Sequence, residues 1–109
     1  QTARAVVLGF HDPSKLSIAE ASQFQFWLRA EVNQQLRIWR MRQLGFSSAE
    51  EREVELRQLA GMLSTPGGQL FLEDNRAGFP KPLLLELGPY LGEVPNFGWT
   101  LGRDVNEFE

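Results

Sequence analysis

The sequence predicts an all-α fold built around one long N-terminal helix, and three observations predict it. From Ile18 to Leu44 the chain contains no glycine or proline and is rich in Ala, Gln, Glu, Leu and Arg, which favour helix. Apolar residues recur along this stretch at spacings of three and four, as on the buried face of an amphipathic helix. Capping-box patterns stand ahead of this stretch and again just after it, so a second helix follows closely and should form a helical hairpin with the first.

The composition fits a single domain with a modest core and excludes several kinds of site. The chain has 109 residues, 42% of them hydrophobic, with no Cys, one His and a net charge of -3. The lack of Cys excludes a disulfide scaffold, a thiolate zinc site and a cysteine nucleophile, and one His cannot supply a multi-histidine metal site. The acidic balance argues against a dedicated nucleic-acid binder. The sequence contains no run of 18 apolar residues, and because it starts at Gln1 rather than Met we expect it to be part of a longer protein.

We expect three regions: an N-terminal arm at residues 1–16, a helical domain at 17–91 and a C-terminal arm at 92–109. Pro13 forces the residue before it out of the helical conformation, so the first region is expected to be an arm or short strand followed by a turn. The last region mixes Gly, Asn and Pro with apolar side chains, which favours an extended aromatic arm docked on the body over a disordered end. Those side chains are Phe97, Trp99, Leu101 and Phe108.

The long helix has clear ends. Ser17 is the expected N-cap, with Glu20 completing a capping box, and Gly45 suits the left-handed position that follows a helix. A helix of about 27 residues would be about 40 Å long. Its expected buried stripe consists of Ala21, Phe24, Leu28, Val32, Leu36 (or Gln35) and Trp39.

A second face of this helix is also partly apolar. Trp27, Ile38, Met41 and Leu44 lie off the main stripe. Either other helices cover both sides of a central helix, or its projecting end packs against a second chain or an upstream anchor helix. On the second interpretation, the candidate interaction surface consists of Trp27, Ile38, Trp39, Arg40 and Arg42.

The second helix is expected to run from the 47–51 segment to about Leu63. Two overlapping capping boxes are available, Ser47 with Glu50 and Ser48 with Glu51, and the sequence leaves both open. Its expected inner stripe consists of Val54 (partly), Leu56, Leu59, Ala60 and Leu63.

Two shorter helices follow. Thr65 as N-cap and Pro66 at the first helical position predict a third helix over residues 66–76 that buries Leu70 and Phe71. Its glycines at 67 and 68 are expected to weaken its first turn. Residues 83–87 predict a brief fourth helix, and a strand paired with residues 5–8 is the alternative.

No residue pattern predicts catalysis, a cofactor or a metal, so we expect a protein that is not an enzyme. The glutamates at 50, 51, 53 and 55 are typical of a solvated helix face, and His11 is typical of a turn residue. The Thr65 to Gly68 segment lacks the Lys and the preceding strand of a phosphate loop. Arginines at 29, 37, 40 and 42 complement the C-terminal end of the long helix or contact nucleic acid or lipid. Because the next helix opens with acidic residues, which phosphates would repel, the support for nucleic-acid binding is weak.

The order of turns and caps resembles a family of small bacterial helical proteins of unknown function. The resemblance rests on Trp39-Arg40-Met41-Arg42-Gln43-Leu44-Gly45-Phe46-Ser47-Ser48-Ala49-Glu50-Glu51, Leu56 to Leu63, Thr65-Pro66-Gly67-Gly68, Phe71-Leu72-Glu73 and Arg76-Ala77-Gly78-Phe79. Many members carry one N-terminal membrane anchor, so the resemblance implies a helical, membrane-associated protein. It carries over no functional residue, because the family has no established activity.

Two functions are consistent with these observations. The first is a non-catalytic protein-interaction or assembly domain of a membrane-anchored bacterial protein, which would form a homo-oligomer or bind a protein partner. The alternative is a domain that binds a small ligand or lipid between the long helix and the aromatic arm, in a pocket lined by Phe97 or Trp99.

Overall fold

The computed structural model describes residues 2–45 and 47–92, and this part of the chain is helical without any strand. The all-α fold with a long helix and a helical hairpin is confirmed. Of the predicted aromatic arm, residues 93–109 lie outside the described residues. The helices within the described ranges are α1 (Thr2–His11), α2 (Ile18–Arg42), α3 (Ala49–Ser64), α4 (Pro66–Asn75) and α5 (Lys81–Leu87).

The expectation of an arm or short strand at residues 1–16 was wrong for residues 2–11, which form α1. Residues 5–10 of this helix are buried without interruption, and the periodicity of so short an apolar run does not distinguish a helix from a strand. Asp12 leaves the helical conformation (φ -153°, ψ 79°) directly before Pro13, as predicted. The buried residues of α1 are Ala5, Val6, Val7, Leu8 and Phe10.

The predicted start and end signals of α2 are confirmed. The Ser17 hydroxyl accepts from the backbone N–H of Glu20 at 3.1 Å, and the Glu20 carboxylate accepts from the Ser17 N–H at 3.0 Å. The helix ends at Arg42, two residues earlier than expected, and Gly45 adopts φ +90°. Ala21 and Trp39, at the two ends of the predicted stripe, are half-buried. Its fully buried members are Phe24, Leu28, Val32 and Leu36.

The structure selects one of the two capping boxes for α3. The Ser48 hydroxyl accepts from the Glu51 N–H at 3.1 Å, and a Glu51 carboxylate oxygen accepts from the Ser48 N–H at 3.4 Å. Val54, placed partly on the inner stripe by the sequence, is 55% exposed instead. Leu56 is half-buried. The buried residues of α3 are Leu59, Ala60, Met62 and Leu63.

The start of α4 confirms Thr65 as its N-cap, and the expected burial of Phe71 is also confirmed. The expected burial of Leu70 was wrong, because Leu72 is the second buried residue and Leu70 is 49% exposed. The glycines at 67 and 68 are buried contact points between helices. A Cβ at residue 67 would overlap the Gly9 carbonyl oxygen of α1, and one at residue 68 would overlap the Met62 carbonyl oxygen of α3. Only glycine allows these backbones to approach so closely.

The segment predicted as a brief fourth helix is α5, which begins two residues earlier than expected, at Lys81. The strand alternative is wrong because residues 81–87 and the proposed partner residues 5–8 are both helical. Leu83 and Leu87 of α5 join buried residues of α1 to α4 in one cluster. The structure therefore has one core, to which all five described helices contribute.

Candidate interaction surface

Trp27 and Trp39, predicted as surface residues, both have partners within the chain. The Trp27 ring meets Phe10 of α1 edge-on, with centroids 5.8 Å apart and planes at 87°. Trp39 donates from Nε1 to a carboxylate oxygen of Glu86 on α5 at 2.6 Å. Each ring is half-buried and packs against the core cluster. Their apolar character is therefore largely used in packing α1 and α5 onto α2.

Arg42 joins α2 to α3. Its Nη2 donates to Oε1 of Glu55 at 2.7 Å and its Nε to Oε2 at 3.1 Å, a two-pronged pair in which both side chains are part-buried. Oε2 of Glu51 lies 3.5 Å from Nη2 of Arg42. The hydrogen bonds to Glu55 raise the pKa of Arg42 above its ordinary value, against the opposing effect of burial. The geometry assigns Arg42 to the hairpin rather than to a partner.

Ile38 and Arg40, the other two predicted residues, remain at the surface. Ile38 is half-buried and Arg40 is exposed. Sequence reasoning left Met41 and Leu44 out of the candidate surface, although both had been recognised as lying off the buried stripe. They are 61% and 72% exposed. Exposed Val54 of α3 was missed altogether, because its spacing fitted the inner stripe.

These residues lie on a part of the molecule that we call the hairpin end, defined as residues 37–45 of the α2 side and 47–58 of the α3 side. Leu36 is the last buried residue before it and Leu59 the first after it. Within these two ranges no residue is buried. The hairpin therefore continues past the core that holds its base, and it carries exposed apolar side chains where no helix in the described ranges covers them.

The exposed charges of the hairpin end are positive on α2 and mostly negative on α3, where Arg57 is the exposed basic residue. Arg37 and Arg40 are exposed on α2, and Glu50 and Glu53 are exposed on α3. Glu53 accepts from Arg57 at 3.1 Å, an i,i+4 pair along the helix. Arg37, Arg40 and Glu50 form no ion pair with any residue in the described ranges. The remaining arginine of the predicted basic end, Arg29, lies elsewhere, 5.6 Å above the Phe71 ring.

Apolar side chains are also exposed elsewhere on the molecule. Ile18 and Phe26, on the N-terminal half of α2, are 90% and 79% exposed, and Leu85 of α5 is 80% exposed. Ile18 and Phe26 line one open cleft together with Ala21, whereas a single exposed apolar residue such as Leu85 is ordinary at protein surfaces. Unlike the exposed apolar residues of the hairpin end, these residues lie on stretches of helix that also contain buried residues, such as Phe24 and Leu87.

The clefts of the structure do not test the alternative function. One cleft between α2, α3 and α5 is lined by Trp39, Leu56 and Leu83, with Arg42 and Arg52 at its sides. The pocket expected for a small ligand or lipid would be lined by Phe97 or Trp99, which lie outside the described residues. That expectation stays a prediction.

The part of the chain that the structure describes has neither a metal-ligand cluster nor a helix suited to spanning a membrane. No three His, Asp or Glu side chains there form a group that could hold a metal ion. No described helix has the length and apolarity needed to cross a membrane. His11 sits at the last position of α1, next to the turn at Asp12.

Comparison with known proteins adds no relative to this description. No family model, no curated protein and no solved structure matches the chain. Within the chain's own geometry, the hairpin end is the feature that points to a function.

Proposed function

We propose that this chain is a non-catalytic protein-interaction or assembly domain, and that it acts through the hairpin end. The observation that carries the proposal is the unburied stretch between Leu36 and Leu59, which exposes apolar side chains from two adjacent helices. Several exposed apolar side chains at one end of a domain, accompanied by charges, are typical of a protein-binding site. Covering it with a partner would recover about 25 cal/mol for each Å² of apolar surface removed from water.

The internal packing of the hairpin base supports the proposal. The Arg42–Glu55 pair and the Trp39–Glu86 hydrogen bond fix α2 against α3 and α5. A surface held in this way loses little conformational entropy on binding, and such preorganisation favours association. The non-catalytic part of the proposal rests on the sequence, in which no residue pattern suits catalysis.

A second part of the proposal concerns the parent protein. The resemblance to the bacterial helical family supports a domain carried by a membrane-anchored bacterial protein. Fractionation of cells that express the full reading frame, with any residues encoded ahead of Gln1 included, tests this. Release from the membrane pellet only with detergent is expected, and full recovery in the soluble fraction would contradict it.

Site-specific photocrosslinking in cells tests the interaction surface. Benzoylphenylalanine would replace Met41 or Leu44 in two separate variants, and Leu85 in a control variant, because Leu85 is at least as exposed as either but lies on α5. We expect discrete protein adducts from positions 41 and 44 after irradiation, and none of the same mass from position 85. Adducts that are equal at all three positions, or absent at 41 and 44, would refute an interaction surface at the hairpin end.

A further inference from the structure

We infer that the occupant of the hairpin end is a second copy of this chain, bound across a two-fold axis; this rests on the proposed function. In a two-fold interface the same patch is used twice, so each copy must offer a group and its complement. The hairpin end meets this condition. Arg37 and Arg40 on α2 supply positive charge, and Glu50 and Glu53 on α3 supply negative charge.

The arrangement of these groups allows mutual pairing. The apolar side chains of Met41 and Leu44 follow the arginines on the α2 side, and Val54 follows the glutamates on α3. When two hairpin ends meet head to head, the apolar residues form the centre. The arginine row of each copy then faces the glutamate row of the other. This layout has the apolar centre and charged rim of a protein interface.

The same charges argue against a strongly charged partner. Phosphates of nucleic acid or of a lipid surface would be attracted by Arg37 and Arg40 but repelled by Glu50, Glu51 and Glu53 at the same end. A strongly basic partner would be attracted by these glutamates but repelled by Arg37 and Arg40. A partner that places acidic groups opposite the arginines and basic groups opposite the glutamates satisfies both. A second copy of the hairpin end carries both kinds of group, because it has the same sequence.

The size of the surface determines how tightly two copies are expected to bind. A standard interface uses about 20–30 residues from each partner. The hairpin end has about twenty described residues, some of which face inward toward the other helix. The contact is therefore at the lower end of the range, where complexes are transient, and we expect a dissociation constant on the order of 10–100 µM.

Charge exchange tests the inference on the full chain. Sedimentation of the purified protein from about 10 µM to 500 µM should show a concentration-dependent shift from one 12.4 kDa chain toward twice that mass. In R37E/R40E the exposed charges of the hairpin end would be negative except for Arg57, and in E50K/E53K they would be positive except for Glu51. Because like charges then face each other, each variant alone should dimerise at least about tenfold more weakly.

Mixing the two variants provides the decisive measurement. An equimolar mixture should recover association to within about threefold of the original protein, because the negative end of one variant now faces the positive end of the other. A variant that had merely unfolded could not be rescued in this way, and circular dichroism of each variant checks its helix content separately. Phe26→Ser, which removes an exposed apolar side chain elsewhere on α2, should leave dimerisation unchanged.

The outcomes separate this inference from the proposed function. A protein that stays monomeric to 500 µM, a dimer that R37E/R40E does not weaken, or a variant mixture that stays monomeric would each overturn the second-copy inference. If discrete crosslinks from Met41 and Leu44 then join a different protein, the interaction function survives with another partner. If those crosslinks are also absent, both fail.

Discussion

Gly67 is the position at which one added methyl group tests how closely α4 packs against α1. In Gly67→Ala, the new Cβ would overlap the Gly9 carbonyl oxygen, at 2.8 Å from the Gly9 carbonyl carbon and 3.1 Å from Cε2 of Phe24. The obstacle is backbone rather than a flexible side chain, so α4 must shift as a unit. Overpacking of this kind costs about 1–3 kcal/mol, and we expect the upper part of that range. The better helix propensity of alanine returns at most about 1 kcal/mol, which leaves a net loss of about 2 kcal/mol.

Thermal unfolding followed by circular dichroism measures the effect. In a domain of this size, 1 kcal/mol shifts Tm by about 4–8 °C, so Gly67→Ala should lower Tm by roughly 8–16 °C. Urea unfolding should show a matching fall in the free energy of unfolding, about 2 kcal/mol by the same reasoning. Gly78→Ala is the matched control, because Gly78 is exposed and a Cβ there meets nothing within 4 Å. The control should change stability by no more than about 0.5 kcal/mol. Equal Tm values for the two variants would refute the close-packing argument.

Two further predictions concern the helix starts. In urea unfolding, Ser48→Ala should lower the free energy of unfolding by about 1 kcal/mol, because it removes the N-cap of α3. Ser47→Ala should cause no measurable loss in the same assay, because the buried Ser47 hydroxyl has no hydrogen-bond partner among the described residues. A larger loss for Ser47→Ala would mean that the other capping box is used. The pKa of Glu20 lies below its ordinary value of 4.5, because its carboxylate accepts from the Ser17 backbone N–H and from the Arg4 side chain. Its charged form therefore stabilises the fold above about pH 4.5, and that stabilisation is lost as the pH falls through the lowered pKa. Glu20→Gln should have a lower free energy of unfolding than the original chain at pH 7, and this free energy should fall less between pH 7 and pH 3. Urea unfolding that shows the same pH dependence for the variant and the original chain would contradict this.

The helix starts could be predicted because their physical basis is local. Ser17 with Glu20 and Thr65 with Gly68 each join residues three positions apart, so both partners of the hydrogen bond can be read from one short stretch. The left-handed Gly45 is equally local, because the cost of a Cβ at positive φ belongs to one residue. The sequence could not decide whether Ser47 or Ser48 is the N-cap of α3, because both capping-box patterns satisfy the same local rule.

The candidate surface could be located from sequence only in part. Apolar residues off the buried stripe pointed to the C-terminal end of α2, and Ile38 and Arg40 do lie at its surface. The sequence could not show that Trp39 and Arg42 also have hydrogen-bond partners within the chain. Their partners, Glu86 and Glu55, are 47 and 13 residues away along the chain, and only folding brings them within hydrogen-bond distance.

The sequence by itself determined the all-α class, the long helix with its hairpin, and most of the points at which helices begin and end. These features follow from propensity, periodicity and hydrogen bonds between near neighbours. Only the tertiary structure decided that residues 2–11 form a core helix and that Gly67 touches the backbone of Gly9. It also decided that the hairpin continues beyond the core between Leu36 and Leu59. Each of these depends on which distant surfaces pack together, and burial is a property of the whole fold rather than of any one segment of the chain.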